Sequence, residues 1–243
     1  MKQTLFITGT DTNVGKTVVT AALGAFLREK GKSVGVMKPL ESGCLSGARP
    51  KGRGQSLTKS DSLYLKEMVG SKDDLDLINT YAFVAPLAPG VAASLEGVEI
   101  SFAKIHENFS KLSLIHEIVL VEGAGGLFVP LSKKQTVLDL IKLLKAQVLV
   151  VARAGLGTIN HTLLTLSALE KENIEVAGVV LNHNSEQEDL SAQYNLQTLK
   201  KWTHVPLWGE FPHLTKINNR EELIQAFETS LRKGVRAWLR ELI

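Results

Sequence analysis

One segment near the amino terminus constrains the fold more than any other: Gly9 to Thr17, which reads G-T-D-T-N-V-G-K-T. It follows a short apolar run, Thr4 to Thr8, and precedes a stretch of helical period, Lys16 to Lys30. A glycine-rich turn between a strand and a helix points backbone N–H groups and the positive helix end at phosphate oxygens. The lysine neutralises phosphate charge, and the threonine hydroxyl reaches magnesium. We therefore predict a phosphate-binding loop of the Walker A type, here called the phosphate loop.

The spacing of this loop departs from the usual pattern. Five residues rather than four separate Gly9 from Gly15, so Thr10 occupies the position of the usual first glycine. A loop that matches by chance is the alternative. The G-K-T triplet directly between a strand and a helix favours nucleotide binding.

The rest of the chain repeats this alternation of short apolar runs and longer helical segments. The predicted strands are Thr4 to Thr8, Ser33 to Met37, Ile118 to Val121, Gln147 to Val151, Val176 to Leu181 and Val205 to Trp208. The predicted helices are Lys16 to Lys30, stopped by Gly31, and Thr136 to Lys145, Thr158 to Lys171 and Leu190 to Trp202. This order predicts an α/β fold of the P-loop NTPase type, a mostly parallel sheet with helices on both faces. A chain of 243 residues suits a single domain.

Three segments lie outside this rhythm. Gly43 to Ser60 is rich in glycine and basic residues and reads as an exposed mobile loop, whereas Thr80 to Gly97 reads as an ordered but irregular connection. Asn218 to Ile243 carries apolar residues at helical spacing beside several basic ones. We expect this last helix to pack on the domain or on a subunit partner, although an amphipathic membrane anchor fits the same pattern.

Composition excludes several classes of protein. The 28 basic and 25 acidic residues leave a net charge of +3, too small to indicate a nucleic-acid surface. Cys44 is the only cysteine, which rules out an intrachain disulfide and a thiolate zinc cluster. The six histidines lack the paired spacing of a metal site, and no apolar stretch reaches the roughly 18 residues that cross a bilayer. We expect a cytoplasmic protein with no nucleic-acid and no membrane partner.

Two predicted strands end in a charged residue where ligands bind to parallel sheets. Glu122 ends the strand before Gly123-Ala124-Gly125-Gly126, whose glycines let backbone approach a ligand closely, and it is a candidate magnesium ligand. Lys38 ends another strand, and a fixed cation there can stabilise charge on a transferred phosphoryl group. The alternative for each is a solvated charge at a strand end.

Several segments in order and spacing resemble the dethiobiotin synthetase family. They are the phosphate loop, K-P-L-E-S-G from Lys38, the Lys59-Ser60-Asp61 neighbourhood, V-E-G-A-G-G from Val121, G-L-G-T-I-N-H-T from Gly155, and Leu181-Asn182. The resemblance runs from about residue 4 to Pro212, and its specificity lies in the combination. It implies an ATP- and magnesium-dependent ligase that converts 7,8-diaminopelargonic acid and CO2 to dethiobiotin through a carbamate and a phosphorylated carbamate. It also implies a homodimer and no covalent enzyme intermediate.

The resemblance assigns roles to individual residues. Lys16, Lys38 and Thr17 would be catalytic, and Thr17, Asp61 and Glu122 would hold Mg²⁺. Nucleotide contacts would come from Asn13, Val14, Gly15, Lys16, Thr17, Val18, Asp61, Glu122, Gly123, Ala124, Gly125, Asn182, Pro206, Leu207, Trp208 and Glu210. Substrate contacts would come from Ser42, Gly126, Gly157, Thr158, Ile159 and Asn160, the last four from the second subunit. Two positions depart from the family pattern: Asn13 replaces a glutamate of some members, and Gly90 stands where histidine is common.

Three other functions each fit part of the sequence. A ParA- or MinD-like nucleotide switch shares this loop but usually carries a lysine five residues before the loop lysine, where this chain has Asp11. An RNA- or DNA-binding role for Arg49, Lys51, Arg53 and Lys59 lacks the interleaved aromatic residues that stack on bases. A cobyrinate-type amidating ligase would need a glutamine-hydrolysing domain, for which the length leaves little room.

Overall fold

The computed structural model describes residues 3–44, 60–186 and 190–240. The strands in these ranges are β1 (Gln3–Gly9), β2 (Val34–Met37), β3 (Leu40–Glu41), β4 (Tyr81–Ala82), β5 (Ile118–Glu122), β6 (Gln147–Arg153), β7 (Val176–Asn182) and β8 (Leu207–Phe211). Six of them form one parallel sheet in the order β2-β5-β1-β6-β7-β8, and β3 pairs with β4 separately. The carboxyl ends of the six strands therefore lie along one edge of the sheet.

Helices cover both faces of this sheet. They are α1 (Lys16–Glu29), α2 (Asp61–Val69), α3 (Leu75–Ile78), α4 (Pro89–Leu95), α5 (Phe102–Ile115), α6 (Val137–Leu144), α7 (Thr158–Lys171), α8 (Ala192–Trp202), α9 (Arg220–Ser230) and α10 (Arg232–Arg240). Successive residues of a strand point to opposite faces, so Leu5 and Ile7 pack with α1, α2 and α9, whereas Phe6 packs with α5, α6 and α7. The α/β prediction with helices on both faces is confirmed.

The predicted strands and helices are present, with shifts at their ends. The strand predicted at Val205 to Trp208 begins two residues later, at Leu207. Gly31 does follow the end of α1, in the left-handed conformation that stops a helix. The helices α2 to α5 were not predicted from the sequence, although Ser101 caps α5 by accepting a hydrogen bond from the Lys104 N–H at 3.3 Å.

The predicted helix from Asn218 is two helices, α9 and α10, with Leu231 between them. The break lets α10 turn onto β8, where the rings of Trp238 and Trp208 lie 6.1 Å apart. The Trp238 indole also donates to the Gln147 side chain at 2.9 Å. The free energy gained by burying Trp238 and Val235 therefore exceeds the cost of breaking the helix at Leu231. Residues 241–243 of this prediction lie outside the described residues.

The structure describes one of the two segments predicted to be irregular in full and the other only at its ends. Thr80 to Gly97 contains β4 and the short helix α4, so it is ordered as predicted. Within it, a Cβ atom at Gly90 would lie 2.8 Å from the Pro130 carbonyl oxygen, so this backbone has no room for a histidine. The predicted mobile loop lies outside the described residues except at its ends. None of the described helices is long and apolar enough to cross a membrane.

Candidate active site

The phosphate loop joins β1 to α1 at the carboxyl edge of the sheet. Asn13 and Gly15 take left-handed backbone angles, with φ of 56° and 92°, which glycine adopts freely and asparagine tolerates. This explains how asparagine fits where some family members carry glutamate. The buried Lys16 side chain donates from Nζ to the Asp11 carbonyl oxygen at 3.0 Å, so the loop curls around its own lysine.

Two asparagines, one at the end of β7 and one just after it, support the phosphate loop. The Asn182 side chain donates to the Val14 carbonyl oxygen at 2.9 Å, and the Asn184 side chain donates to the Asn13 carbonyl oxygen at 3.1 Å. Asn182 was predicted from the sequence as an adenine contact. Asn184 was missed, because an asparagine in a connecting segment carries no local signal for a contact 171 residues away.

A charged cluster lies beside this loop, built on two neighbouring strands. Met37 pairs with Val121 in parallel register, so the next residues, Lys38 and Glu122, emerge together at the sheet edge. Lys38 Nζ contacts Glu122 Oε1 and lies 3.0 Å from Asp61 Oδ2 at the start of α2. Thr17 of α1 donates its hydroxyl to Glu122 Oε1 at 2.8 Å. The end of β5 and the first turns of α1 and α2 thus bring the three predicted magnesium ligands together beside the predicted catalytic lysine.

Burial and charge shift the pKa values of these groups in different directions. Burial raises the pKa of Glu122, although Lys38 acts against it. Burial disfavours the charged form of Lys38, but Glu122 and Asp61 outweigh burial and raise its pKa. Burial and the nearby charge of Lys38 lower the pKa of Lys16 to about 8. The pKa of Asp61 is lowered because Lys38 outweighs the opposing effect of burial.

The donor set suits magnesium. Glu122 Oε2 is fully buried and has no hydrogen-bond partner in the described part of the chain, which is costly unless a ligand pairs with it. Among the described residues no group of three or more His, Cys, Asp or Glu could hold a metal. Two carboxylates and the Thr17 hydroxyl are instead the partial oxygen set that Mg²⁺ takes from a protein when phosphates and water complete its shell.

Two pockets flank the phosphate loop. The first, of about 400 Å³, contains about half of the predicted site residues. Its lining is Thr12, Asn13, Gly15, Lys16, Thr17, Val18, Lys38, Glu41, Ser42, Asp61, Glu122, Ala124 and Gly125. The second, of about 410 Å³, is more apolar and is lined by Gly126, Phe128, Val129 and Leu164 among others. A charged pocket and an apolar pocket therefore share the loop as a wall, which suits a ligand with a polar end and an alkyl chain.

Other predicted residues are not brought to this pocket. Gly157, Thr158, Ile159 and Asn160 begin α7 at the carboxyl edge but line neither pocket. Pro206 and Leu207 lie at the amino end of β8, the edge opposite the phosphate loop, because the strand begins at Leu207. Trp208 is buried, and its indole donates to the Ala177 carbonyl oxygen at 2.9 Å. Glu210, near the carboxyl end of β8, is the member of that motif on the side of the loop.

Glu41 lines the charged pocket, although no role for it was predicted from the sequence. It is buried and accepts hydrogen bonds from Ser62 at the start of α2. Its position between Lys38 and Ser42 in the K-P-L-E-S-G segment was a signal for placing it near the site. Its partner could not be read from the sequence, since Ser62 is 21 residues away.

Comparisons with known proteins agree with the geometry of the fold. The protein family described as AAA domain matches residues 3–221. Among solved structures, the MinC:MinD cell division complex of Aquifex aeolicus aligns over 99% of this chain and 95% of that chain, with a TM-score of 0.57 at 16% identity. The cell division ATPase MinD of Pyrococcus furiosus aligns over 100% of both chains, with a TM-score of 0.55 at 17% identity. At these identities the likeness shows the fold alone.

Curated relatives are much more similar in sequence. The ATP-dependent dethiobiotin synthetase BioD of Thermodesulfovibrio yellowstonii is 42% identical over 226 residues, which are 90% of this chain and 92% of that protein. The protein of the same name from Anaeromyxobacter dehalogenans is 45% identical over 82% of this chain and 85% of its own length. The one from Bacillus subtilis subsp. natto is 38% identical over 90% of both. With its phosphate loop and strand-end charges in place, the chain belongs to the dethiobiotin synthetase family and is an ATP-dependent ligase of biotin biosynthesis.

Proposed function

We propose that this ligase carboxylates and cyclises 7,8-diaminopelargonic acid with CO2, at the expense of ATP and with Mg²⁺. One amine of the substrate adds to CO2 and loses a proton to give a carbamate. A carbamate oxygen takes the γ-phosphoryl group of ATP, and ADP leaves. The second amine then attacks the carbamate carbon, phosphate departs with that oxygen, and the cyclic urea of dethiobiotin forms.

The observation that carries this proposal is the position of Lys38. Its ammonium group is buried between Glu122 and Asp61, in the same pocket as Lys16 of the phosphate loop. Phosphoryl transfer depends mainly on positioning and on neutralising the charge of the transferred group. Lys16 on the nucleotide side and Lys38 on the other side would flank the γ-phosphate and the carbamate.

No protein nucleophile is required by this chemistry. The carbamate oxygen is itself the group that attacks ATP, so we propose no covalent enzyme intermediate. Cys44, the sole cysteine, is unsuited to that task because burial and the charge of Glu41 raise the pKa of its thiol to about 12. The residues around the reaction would bind and orient rather than form bonds.

The residues Thr17, Asp61 and Glu122 would hold Mg²⁺, which when bound neutralises charge on the β- and γ-phosphate oxygens. Lys38 Nζ now contacts Glu122 Oε1, and Thr17 donates to the same oxygen. If these oxygens hold the metal, Nζ would lose part of its carboxylate pairing. The Lys38 ammonium group would then be available to the carbamate and the phosphoryl oxygens.

The remaining predicted contacts concern orientation. Ser42 shares the pocket with Lys38 and would hydrogen-bond the amines or the carbamate, and the backbone of Gly123 to Gly126 would donate to substrate and phosphates. The side-chain N–H of Asn182 donates to the Val14 carbonyl oxygen. Its Oδ1 is therefore the atom that would accept a hydrogen bond from the adenine amino group.

A homodimer would complete the substrate site. Apolar side chains of Phe128, Leu156 and Leu164 are 67%, 77% and 63% exposed near the apolar pocket and the start of α7, which supports a partner surface there. The residues Gly157 to Asn160 of the second subunit would then receive the distant substrate carboxylate at the amino end of their helix.

The decisive experiment measures phosphate release from MgATP with and without the diamine and bicarbonate, with mass detection of the product. We expect release to require both substrates and Mg²⁺, and the product to be the cyclic urea. With ¹⁸O-labelled bicarbonate, we expect one ¹⁸O atom in the released phosphate, because the carbamate oxygen leaves with it. Unlabelled phosphate would overturn the phosphorylated carbamate. Turnover that ignores the diamine would overturn the proposed reaction.

A further inference from the structure

Glu41 is a buried charged group in the pocket wall that the proposed chemistry does not use. Only 4% of the residue is exposed, and it occupies the second position of β3. Its carbonyl oxygen accepts from the Phe83 N–H at 2.9 Å, so the backbone is fixed by pairing with β4. A buried carboxylate is costly unless it is well hydrogen-bonded, so its partners indicate what it does.

Two hydrogen bonds to its carboxylate come from the first turn of α2, and the Cys44 thiol makes a further one. Oε2 of Glu41 accepts from the Ser62 backbone N–H at 3.1 Å, and Oε1 accepts from the Ser62 hydroxyl at 2.9 Å. Ser60 caps the same turn by accepting from the Leu63 N–H at 3.2 Å. The first N–H groups of a helix have no partner within the helix, and negative charge there is favourable. Glu41 thus acts as a cap supplied from another part of the fold.

This cap stands next to the candidate metal site. Asp61 is the first residue of α2 and directly precedes Ser62, and its side chain is 49% exposed and lies 3.0 Å from Lys38 Nζ. Lys38 and Glu41 belong to one short segment, so two contacts join this segment to the start of α2. In the outer contact, the Asp61 carboxylate would leave Lys38, at least in part, when it binds a metal. The inner contact, between Glu41 and Ser62, is buried, and neither residue is a predicted metal ligand.

We infer that Glu41 is a positioning residue, which holds the first turn of α2 so that the Asp61 carboxylate stays in place for Mg²⁺. The inference rests on the proposed function, in which Asp61 is a magnesium ligand. Replacement of residues that orient a metal ligand, without contacting the metal themselves, commonly changes metal affinity by about 10- to 100-fold. Loss of the Glu41 cap should therefore weaken metal binding without removing any metal ligand.

The test compares Glu41→Gln with Ser62→Ala and with a matched control. Glu41→Gln keeps the size of the side chain but replaces one acceptor with a donor, whereas Ser62→Ala removes the hydroxyl and leaves the backbone N–H. Glu67→Gln changes a carboxylate on an exposed position of the same helix. Mn²⁺ binding to the ADP complex, followed by electron paramagnetic resonance, reports metal affinity without turnover. The Mg²⁺ concentration for half-maximal turnover is measured beside it.

We expect Glu41→Gln to weaken Mn²⁺ binding about tenfold or more and to raise the half-saturating Mg²⁺ concentration in proportion. Saturating metal should restore most of kcat, since no reacting group has been removed. Ser62→Ala should show a smaller effect in the same direction, and Glu67→Gln none. The double variant should lose less than the sum of the two single losses, because both act on one contact.

Asp61→Asn distinguishes failure of this inference from failure of the proposed function. Unchanged Mn²⁺ affinity in Glu41→Gln beside weakened affinity in Asp61→Asn would overturn the positioning role alone. Unchanged affinity in both would overturn Asp61 as a ligand, and the inference with it. If Glu41→Gln does not fold, Ser62→Ala decides: weakened Mn²⁺ binding supports the inference, and unchanged binding overturns it.

Discussion

The two ends of β2 both carry polar side chains, but in opposite circumstances. At the amino end, the Ser33 hydroxyl lies 3.0 Å from His116 Nδ1, and His116 Nε2 lies 3.0 and 3.1 Å from the Asp73 carboxylate oxygens. Asp73 also accepts from the Ser71 hydroxyl at 2.6 Å. At the carboxyl end, Lys38 meets Asp61 and Glu122, and one Glu122 oxygen has no partner among the described residues.

This difference separates a structural cluster from a functional one. Buried polar groups are normally paired, so the Ser33, His116 and Asp73 cluster needs no ligand to explain it. The cluster of Lys38, Asp61 and Glu122 has an orphaned oxygen, shifted pKa values and an adjoining pocket. Such features are typical of a site that a ligand completes.

The largest effect should come from Lys16→Ala at the carboxyl edge. The substitution removes the cation that we propose faces the β- and γ-phosphates, so both ATP affinity and turnover should fall. We expect kcat/KM for ATP to fall on the order of a thousandfold or more, as for other cations that neutralise a transferred phosphoryl group. Steady-state kinetics and equilibrium ATP binding measure the two losses. Normal ATP binding in this variant would contradict the assignment.

Replacement of the two lysines that flank β2 gives the sharpest comparison. Lys38→Met should lower kcat about 100- to 1,000-fold and leave ATP binding nearly intact, because we propose that the Lys38 charge acts on the reacting groups. Lys32→Met, before the amino end, should leave kinetics unchanged, since the Lys32 side chain is 46% exposed and its ammonium group lies 3.9 Å from Glu117 Oε1. Equal loss of ATP affinity and kcat in Lys38→Met would argue against its role in the chemical step.

At the amino end of β2, where the polar side chains all have partners, we expect a substitution to lower stability and to leave activity unchanged. His116→Ala leaves the Asp73 carboxylate and the Ser33 hydroxyl without their shared partner, so the free energy of unfolding should fall by about 1–3 kcal/mol. Urea unfolding measures this, with the exposed His106→Ala as control. Turnover per folded molecule should match the parent enzyme, and a fall in kcat would break the distinction between the two ends.

The smallest effect on activity should come from Cys44→Ala. The thiol is buried near Glu41, and its pKa of about 12 leaves it almost wholly protonated at pH 8. Iodoacetamide should then modify Cys44 on the order of a hundredfold or more slowly than a free thiol, while Cys44→Ala keeps the parent turnover. Rapid alkylation of the native enzyme, followed by mass spectrometry, would contradict this result.

The local parts of the site could be predicted from the sequence. The phosphate loop lies between a strand and a helix whose own patterns are strong, so its position did not depend on distant residues. Lys38 and Glu122 directly follow or end buried strands, and the carboxyl ends of parallel strands share one edge. The class of fold and the position of these charges at one edge of the sheet therefore followed from period and order alone, whereas their contact depends on the pairing of β2 with β5.

Only the tertiary structure decided the contacts that depend on register and on distant segments. The approach of Asp61 to Lys38, the Glu41 cap on Ser62 and the support of the loop by Asn184 join residues far apart in sequence. The start of β8 at Leu207 depends on its pairing with β7, and this shift places Pro206 at the opposite edge of the sheet. Local propensity gives each element its type, whereas side-chain packing between elements sets where each one begins and which residues meet.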